Sequence, residues 1–226
     1  MAEAEHALAA LNHEVTGELK LGASTTVAQY LLPRILGTFL KQYPHVHLSL
    51  VSGNTEKIVE AVAEQTVVLG IIEGPAMRRD LKTEPMAPDE LALIVNPAHE
   101  WAQRKSAIAV SELSDVPLLL RERGSGSRRV VERALKNADL PLRSLKIAME
   151  LDSTEAILSG VEAELGVGFV SRWALGKVLR LGTVKVVKVA GLRIARQFSF
   201  VWPVGPTPQE PQQHFNDSPW LRHPAG

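Results

Sequence analysis

Two stretches concentrate polar groups where the flanking pattern turns from strand to helix. In the first, Ser24, Thr25 and Thr26 follow Leu19 and Leu21, which alternate with polar residues as a strand does. An apolar helical pattern comes next, at Leu31, Leu32, Ile35, Leu36, Phe39 and Leu40, and Tyr43-Pro44 closes it. A turn entering a helix has free backbone N–H groups and a positive partial charge, which suit carboxylate, sulfate or phosphate. Simple N-capping needs one hydroxyl, and this turn supplies three in a row. In the second stretch, Gly124-Ser125-Gly126-Ser127-Arg128, glycine lets backbone approach a ligand and the hydroxyls donate. Arg128 adds a guanidinium able to pair with an oxyanion in bidentate fashion. The plain alternative here is a flexible turn with a surface arginine.

Further polar turns stand at the margins. Asn54 and Thr55 end a strand over residues 46–51 and open a helix with Ile58, Val59 and Val62 on one face. Asp152-Ser153-Thr154-Glu155 reads as a capping box with Asp152 as N-cap; Ser153 and Thr154 are likewise cap residues first and binding residues second. Glu73 is the acid among these turns; it would repel an anion, so it caps, hydrogen-bonds or meets a donor group. The arrangement expected is a small anion held by Ser24, Thr25 and Thr26 on one side and by Ser125, Gly126 and Ser127 on the other. Asn54 and Ser153 sit at its edges.

Other chemistry is disfavoured. The glycine-rich stretch lacks the Gly-Lys-Ser/Thr element of a P-loop and is one residue too tight for a Gly-x-Ser-x-Gly elbow. His45 and His47 have no third ligand nearby, so no metal is expected. No Ser-His-Asp set or paired carboxylates fall at strand ends, and no cofactor or catalytic residue is predicted. The absence of cysteine removes disulfides, zinc-thiolate sites and cysteine nucleophiles. Lys plus Arg equals Asp plus Glu at 25 each, which gives no bulk attraction to nucleic acid or an anionic membrane. The N-terminus lacks the basic start and apolar run of a signal peptide, and no apolar stretch is long enough for a bilayer. A cytoplasmic binder is the expectation.

The elements that must position these turns alternate strand and helix through 226 residues. Residues 66–72 form a continuous apolar run, as in a strand buried on both faces. Residues 81–86 and 90–97 read as separate strands, 117–121 and 145–151 as two more, and 166–171 as a compact buried one. Residues 184–189 and 196–201 are late strands. The spacing predicts two α/β lobes joined near Pro85–Glu90: lobe I over 17–88 and 190–206, lobe II over 89–189. Residues 1–16 read as the end of a linker helix and 207–226 as a last helix and tail.

Taken together, several segments resemble the effector-binding domain of LysR-type transcriptional regulators. They are Gly17-Glu-Leu-Lys-Leu-Gly-Ala-Ser-Thr-Thr26, Tyr30-Leu-Leu-Pro33, Tyr43-Pro44 and Ser52-Gly-Asn-Thr-Glu56. Arg121-Glu-Arg-Gly-Ser-Gly-Ser-Arg128, Glu150-Leu-Asp-Ser-Thr-Glu-Ala156 and Leu165-Gly-Val-Gly-Phe-Val-Ser171 continue the series in order. The Gly-Asn-Thr-Glu and Arg-Glu-x-Gly-Ser-Gly-Ser-Arg elements are most similar to members governing cysteine biosynthesis, sulfite response or carbon fixation. Val67-Val68 depart from the pattern, since many members carry Asp there. The resemblance implies two Rossmann-like lobes of the type II periplasmic-binding-protein architecture with an effector in the cleft between them. It implies no enzyme activity, side-by-side homodimers or tetramers with the Leu31–Tyr43 helix against a partner's second lobe, and DNA contact only through an N-terminal helix-turn-helix absent from these residues. Transport receptors share the architecture and are the alternative.

Overall fold

The computed structural model describes residues 15–76, 78–205, 214, 215 and 217. The leader helix expected before residue 15, and most of the last helix and tail expected after 207, lie outside the described residues. The chain divides into two compact units, one formed by residues 1–87 and 198–226 and the other by residues 88–197.

In chain order the first unit begins with β1 (Gly17–Ser24), a π-helical turn (Val27–Leu31), α1 (Leu32–Gln42), β2 (Val46–Gly53), α2 (Thr55–Ala63) and β3 (Leu69–Ile72). β4 (Leu81–Val95) carries the chain into the second unit. There follow β5 (Pro117–Arg121), α3 (Gly126–Asn137), β6 (Lys146–Leu151), α4 (Thr154–Glu162), β7 (Val167–Ser171), α5 (Leu175–Leu181) and β8 (Lys185–Val187). β9 (Ile194–Pro203) brings the chain back. This is a mixed α/β fold.

In the first unit β1 runs parallel to both β2 and β3, and β9 closes the group antiparallel to β3 through Gly70 opposite Val201. The helices bury one face each: Leu32, Ile35 and Phe39 on α1, and Ile58, Val59 and Val62 on α2. Those residues recur at helical spacing, so propensity and burial agree. Phe215 is fully buried and meets Phe39 edge-on, with ring centroids 5.2 Å apart. In the second unit β5 lies between parallel β6 and β7, while β4 runs antiparallel to β7 and β8. Leu93, Leu118, Leu120, Val131, Leu135 and Phe169 belong to its core.

Three sequence expectations are corrected. The apolar run at 66–72 is strand only over Leu69–Ile72. Gln65 adopts φ 58°, and the Thr66 and Val67 N–H groups donate back to the Ala61 carbonyl, so the start of the run wraps the end of α2. The strands read separately at 81–86 and 90–97 are one continuous strand, the 15 residues of β4, and the chain passes from one unit to the other within it, between Ala87 and Pro88. Proline's fixed φ is compatible with extended backbone and costs only a donor, so Pro85 and Pro88 do not interrupt it. Finally, the cap of α4 is Ser153, not Asp152: Ser153 is the extended residue just before the helix, and its Oγ accepts from the Ala156 N–H at 3.1 Å.

Packing is tight enough at Gly70 to be tested. A Cβ there would lie 2.6 Å from Val201 Cγ1 and 2.8 Å from Val62 Cγ2. Gly70→Ala is expected to destabilise the first unit by ~1–3 kcal/mol in urea unfolding. Gly37→Ala is the control: it lies inside α1, and a Cβ there meets nothing within 4 Å. It should stabilise by ~0.5–1 kcal/mol, because alanine loses less backbone entropy in a helix. Equal effects of the two substitutions would contradict the packing account.

Candidate functional site

The first unit assembles its polar turns by strand register. Ser24 pairs with Gly53 and Ala23 with Ile71, so the carboxyl ends of β1, β2 and β3 fall side by side. The residues that follow each strand are therefore neighbours: Thr25 and Thr26, Asn54 and Thr55, and Glu73. Ser24 is fully buried, and its Oγ has no hydrogen-bond partner among the described residues. Thr55 Oγ1 shares that condition. An unsatisfied buried hydroxyl costs ~1–3 kcal/mol, so two of them at adjacent strand ends point to a partner supplied from elsewhere.

Thr26 and Glu73 are buried together, and the Thr26 hydroxyl donates to Glu73 Oε2 at 3.0 Å. Thr25 is half-buried. Asn54 caps α2, its Oδ1 accepting from the Lys57 N–H at 3.0 Å. The π-helical turn after Thr26 sends the Leu32 N–H to the Val27 carbonyl, one residue beyond the α-helical partner. Such widened turns are rare and recur at functional sites.

In the second unit Ser125 caps α3, its Oγ accepting from the Arg128 N–H at 3.4 Å. Gly126 and Ser127 begin the helix, and both are buried. Arg128 is held by carboxylates of the fold, Glu132 at 2.6 Å and Glu150 at 2.8 Å, and donates to the Arg121 carbonyl at 3.0 Å. The cation on the serine turn is instead Arg196, whose Nη1 donates to Ser127 Oγ at 2.8 Å. Its Nε donates to Asp89 Oδ2 at 2.6 Å, and Ser171 Oγ donates to Asp89 Oδ1 at 2.7 Å. Both charged side chains are almost wholly buried. Burial pushes the Asp89 carboxyl above its ordinary value, while Arg196 and the Ser171 hydroxyl pull it back.

Asp89 and Arg196 escaped the sequence reading. The signal existed: each occupies an inward position of an alternating strand, Asp89 between buried Ala87 and Leu91, Arg196 between buried Ile194 and Phe198. A charge in the inward register of a strand needs a buried opposite charge. Among the described residues no group of His, Cys, Asp or Glu is placed to hold a metal ion, and no helix is long and apolar enough to cross a membrane.

A family model for the LysR substrate-binding domain matches residues 12–218. The chain belongs to that family. Among relatives of this LysR domain, a probable RuBisCO transcriptional regulator of Cyanidioschyzon merolae is 36% identical over 195 residues, covering 84% of this chain and 64% of the relative. The HTH-type transcriptional regulator CysL of Bacillus subtilis is 31% identical over 200 residues, covering 88% and 65%. The LysR domain thus spans just under two thirds of either relative's length. Among solved structures, the CcmR regulatory domain of Synechocystis PCC6803 in complex with 2-PG superposes with a TM-score of 0.83 at 27% identity, covering 92% of this chain and 96% of that one. The fold read from the sequence is that of LysR effector-binding domains, and these relatives are named as regulators.

The buried pair carries a prediction with a defined pH sign. Arg196→Met leaves Asp89 buried without its cation and should cost ~3–5 kcal/mol at neutral pH. A carboxyl whose folded-state value lies above its unfolded one contributes stability below the unfolded value and loses it as pH rises through the folded value. The deficit of the variant relative to wild type should therefore shrink as pH falls, because protonated Asp89 no longer needs the cation. Urea titrations across pH that show a constant deficit would contradict this.

Proposed function

We propose that this chain is the ligand-sensing regulatory domain of a bacterial, cytoplasmic transcription regulator and that it binds a small anionic effector. The observation that carries the proposal is Ser24: a fully buried hydroxyl without a partner, at a strand end that opens a helix. The neighbouring orphan at Thr55 supports it, as does the 2-PG of the CcmR structure. In this reading the turn of Ser24, Thr25 and Thr26 and the turn of Ser125, Gly126 and Ser127 act on one effector, with Asn54 and Ser153 at the margins. Arg128 serves by holding the second turn to Glu132 and Glu150. An effector that prefers one arrangement of the two units shifts their population toward it, and that shift is the regulatory signal. A helix-turn-helix domain outside these residues makes the DNA contact.

Thermal melting in the presence of sulfate, sulfite and small carboxylates tests the reading. An effector at a hundred times its Kd stabilises the folded state by ~2.7 kcal/mol, a readily measured rise in Tm. Ser24→Ala is expected to weaken the responding anion by about tenfold in calorimetric titration, from one lost hydrogen bond to a charged group. No response to any of these anions, or undiminished affinity in Ser24→Ala, would remove the site from this turn.

The same reading has the domain act as a homodimer or tetramer, because a two-fold contact repeats each patch and strengthens a modest one. Sedimentation at tens of micromolar, on the order of ordinary weak-interface affinities, should show species heavier than the 24.6 kDa chain. Monomer alone would count against it.

A further inference from the structure

Charge is segregated along this neutral chain. Residues 165–209 hold seven of the 25 Lys and Arg and none of the 25 Asp and Glu, which leaves 18 basic against 25 acidic residues elsewhere. Of the seven, Arg196 is buried on Asp89, while Arg172 and Arg193 share the Glu90 carboxylate at 2.9 and 3.0 Å. Lys177, Arg180, Lys185 and Lys188 are exposed, and their side chains make no hydrogen bond or ion pair among the described residues. Lys177, Arg180 and Leu181 stand at i, i+3 and i+4 of α5, on the side opposite its buried residue Leu175. Gly182 ends the helix at φ 71°, a left-handed cap that turns the chain directly into β8, where Lys185 starts the strand and Lys188 follows it. Leu181 is 65% exposed, the most of any large apolar residue described. Single exposed leucines are ordinary, but this one stands among cations that have no counter-charge, so the face suits a partner both acidic and partly apolar.

The first unit presents such a surface. Glu56, Glu60 and Glu64 recur every four residues along α2 and its C-cap, all exposed. Lys57 flanks the stripe, and Arg78 feels Glu60 and Glu64 but is committed to Asp80 at 2.6 Å, so an acidic excess remains. A Cβ on Gly53 would meet Lys57 Cβ at 3.2 Å, so Gly53 faces α2. Val51, two residues back on the same strand, shares that face and is 51% exposed.

We propose that the basic face of α5 and β8 is an interface that takes the α2 stripe of a second copy of this chain. A second copy is favoured over an unrelated acidic protein, because each copy carries both surfaces and a chain of zero formal charge has no net repulsion from its like. It is favoured over nucleic acid, because a phosphate backbone matches the cations but gives Leu181 nothing apolar to meet. The contact joins unlike surfaces and is therefore heterologous, separate from the contact of the helix over 31–43 and independent of the anion reading.

Charge reversal tests the pairing. Lys177→Glu with Arg180→Glu inverts the patch, and Glu60→Lys with Glu64→Lys inverts the stripe; all four positions are exposed, so both variants should fold. In sedimentation at about 0.05 M NaCl, where screening is weak, each variant alone should self-associate at least about tenfold more weakly than wild type. An equimolar mixture of the two should recover the wild-type affinity, since inverted patch then meets inverted stripe and native patch meets native stripe. Wild-type association should also weaken at about 0.5 M NaCl. A variant that associates as tightly as wild type overturns the proposal and leaves self-association to the helix over 31–43. A mixture no better than its components overturns it too, as does a wild-type chain that stays monomeric or is indifferent to salt. Polyglutamate and random-sequence duplex DNA serve as probes of the other occupants. Binding of either by chains that do not pair, lost on inverting the patch, would assign the face to a different partner and overturn the proposal.

Discussion

The parallel pairing of β1 with β2 and β3 is the constraint on which the first unit depends. Parallel strands need a crossover connection, and here each crossover is a helix that starts close to the carboxyl end of the preceding strand. Once Ser24 is set opposite Gly53 and Ala23 opposite Ile71, every strand-to-helix turn of the unit is delivered to one edge. Turns scattered over some fifty residues of sequence become one cluster of hydroxyls and a carboxylate. A one-residue slip would turn every side chain of β1 to the other face and separate Ser24 from its neighbours. The buried residues Leu19, Leu21 and Leu69 resist such a slip, since it would take each of them out of its present packing.

The second unit solves a different problem. Its serine turn sits at the entry of α3, and the buried Arg196 reaches that turn from β9. A guanidinium out of water is tolerated only with a close counter-charge and satisfied donors, and Asp89 on β4 supplies the counter-charge. β4 and β9 are the strands on which the chain passes from one unit to the other, and the same pair ties the serine turn to both of them. A polar network in that place specifies one local geometry more sharply than apolar packing would, as hydrogen bonds are directional and a partial match leaves buried charge exposed to the full desolvation cost.

Family membership, the alternating element order and the polar turns were legible in the sequence because each is written locally. Leu32, Ile35 and Phe39 declare a helix by spacing, and a run such as Leu118 to Leu120 declares a buried strand. Ser125, Asn54 and Ser153 announce helix starts through short polar side chains that fit the exposed N–H groups. Even here the reading of residues 152–155 slipped by one, since Asp152 and Ser153 are equally good caps by composition and only backbone angles distinguish them.

What tertiary structure decided was partnership between residues far apart in the chain. Thr26 and Glu73 are 47 positions apart, and Ser127 and Arg196 are 69. No local pattern assigns Glu73 to a hydroxyl, or gives Arg128 to Glu150 and leaves the serine turn to Arg196. The continuity of β4 through Pro85 and Pro88 was likewise undecidable locally, because proline's missing N–H matters only once neighbouring strands are known. Sequence determines which side chains are available and which face of each element they occupy. Register and burial determine which of them meet, and it is the meeting of a donor, an acceptor and an unsatisfied hydroxyl that gives the cluster its chemistry.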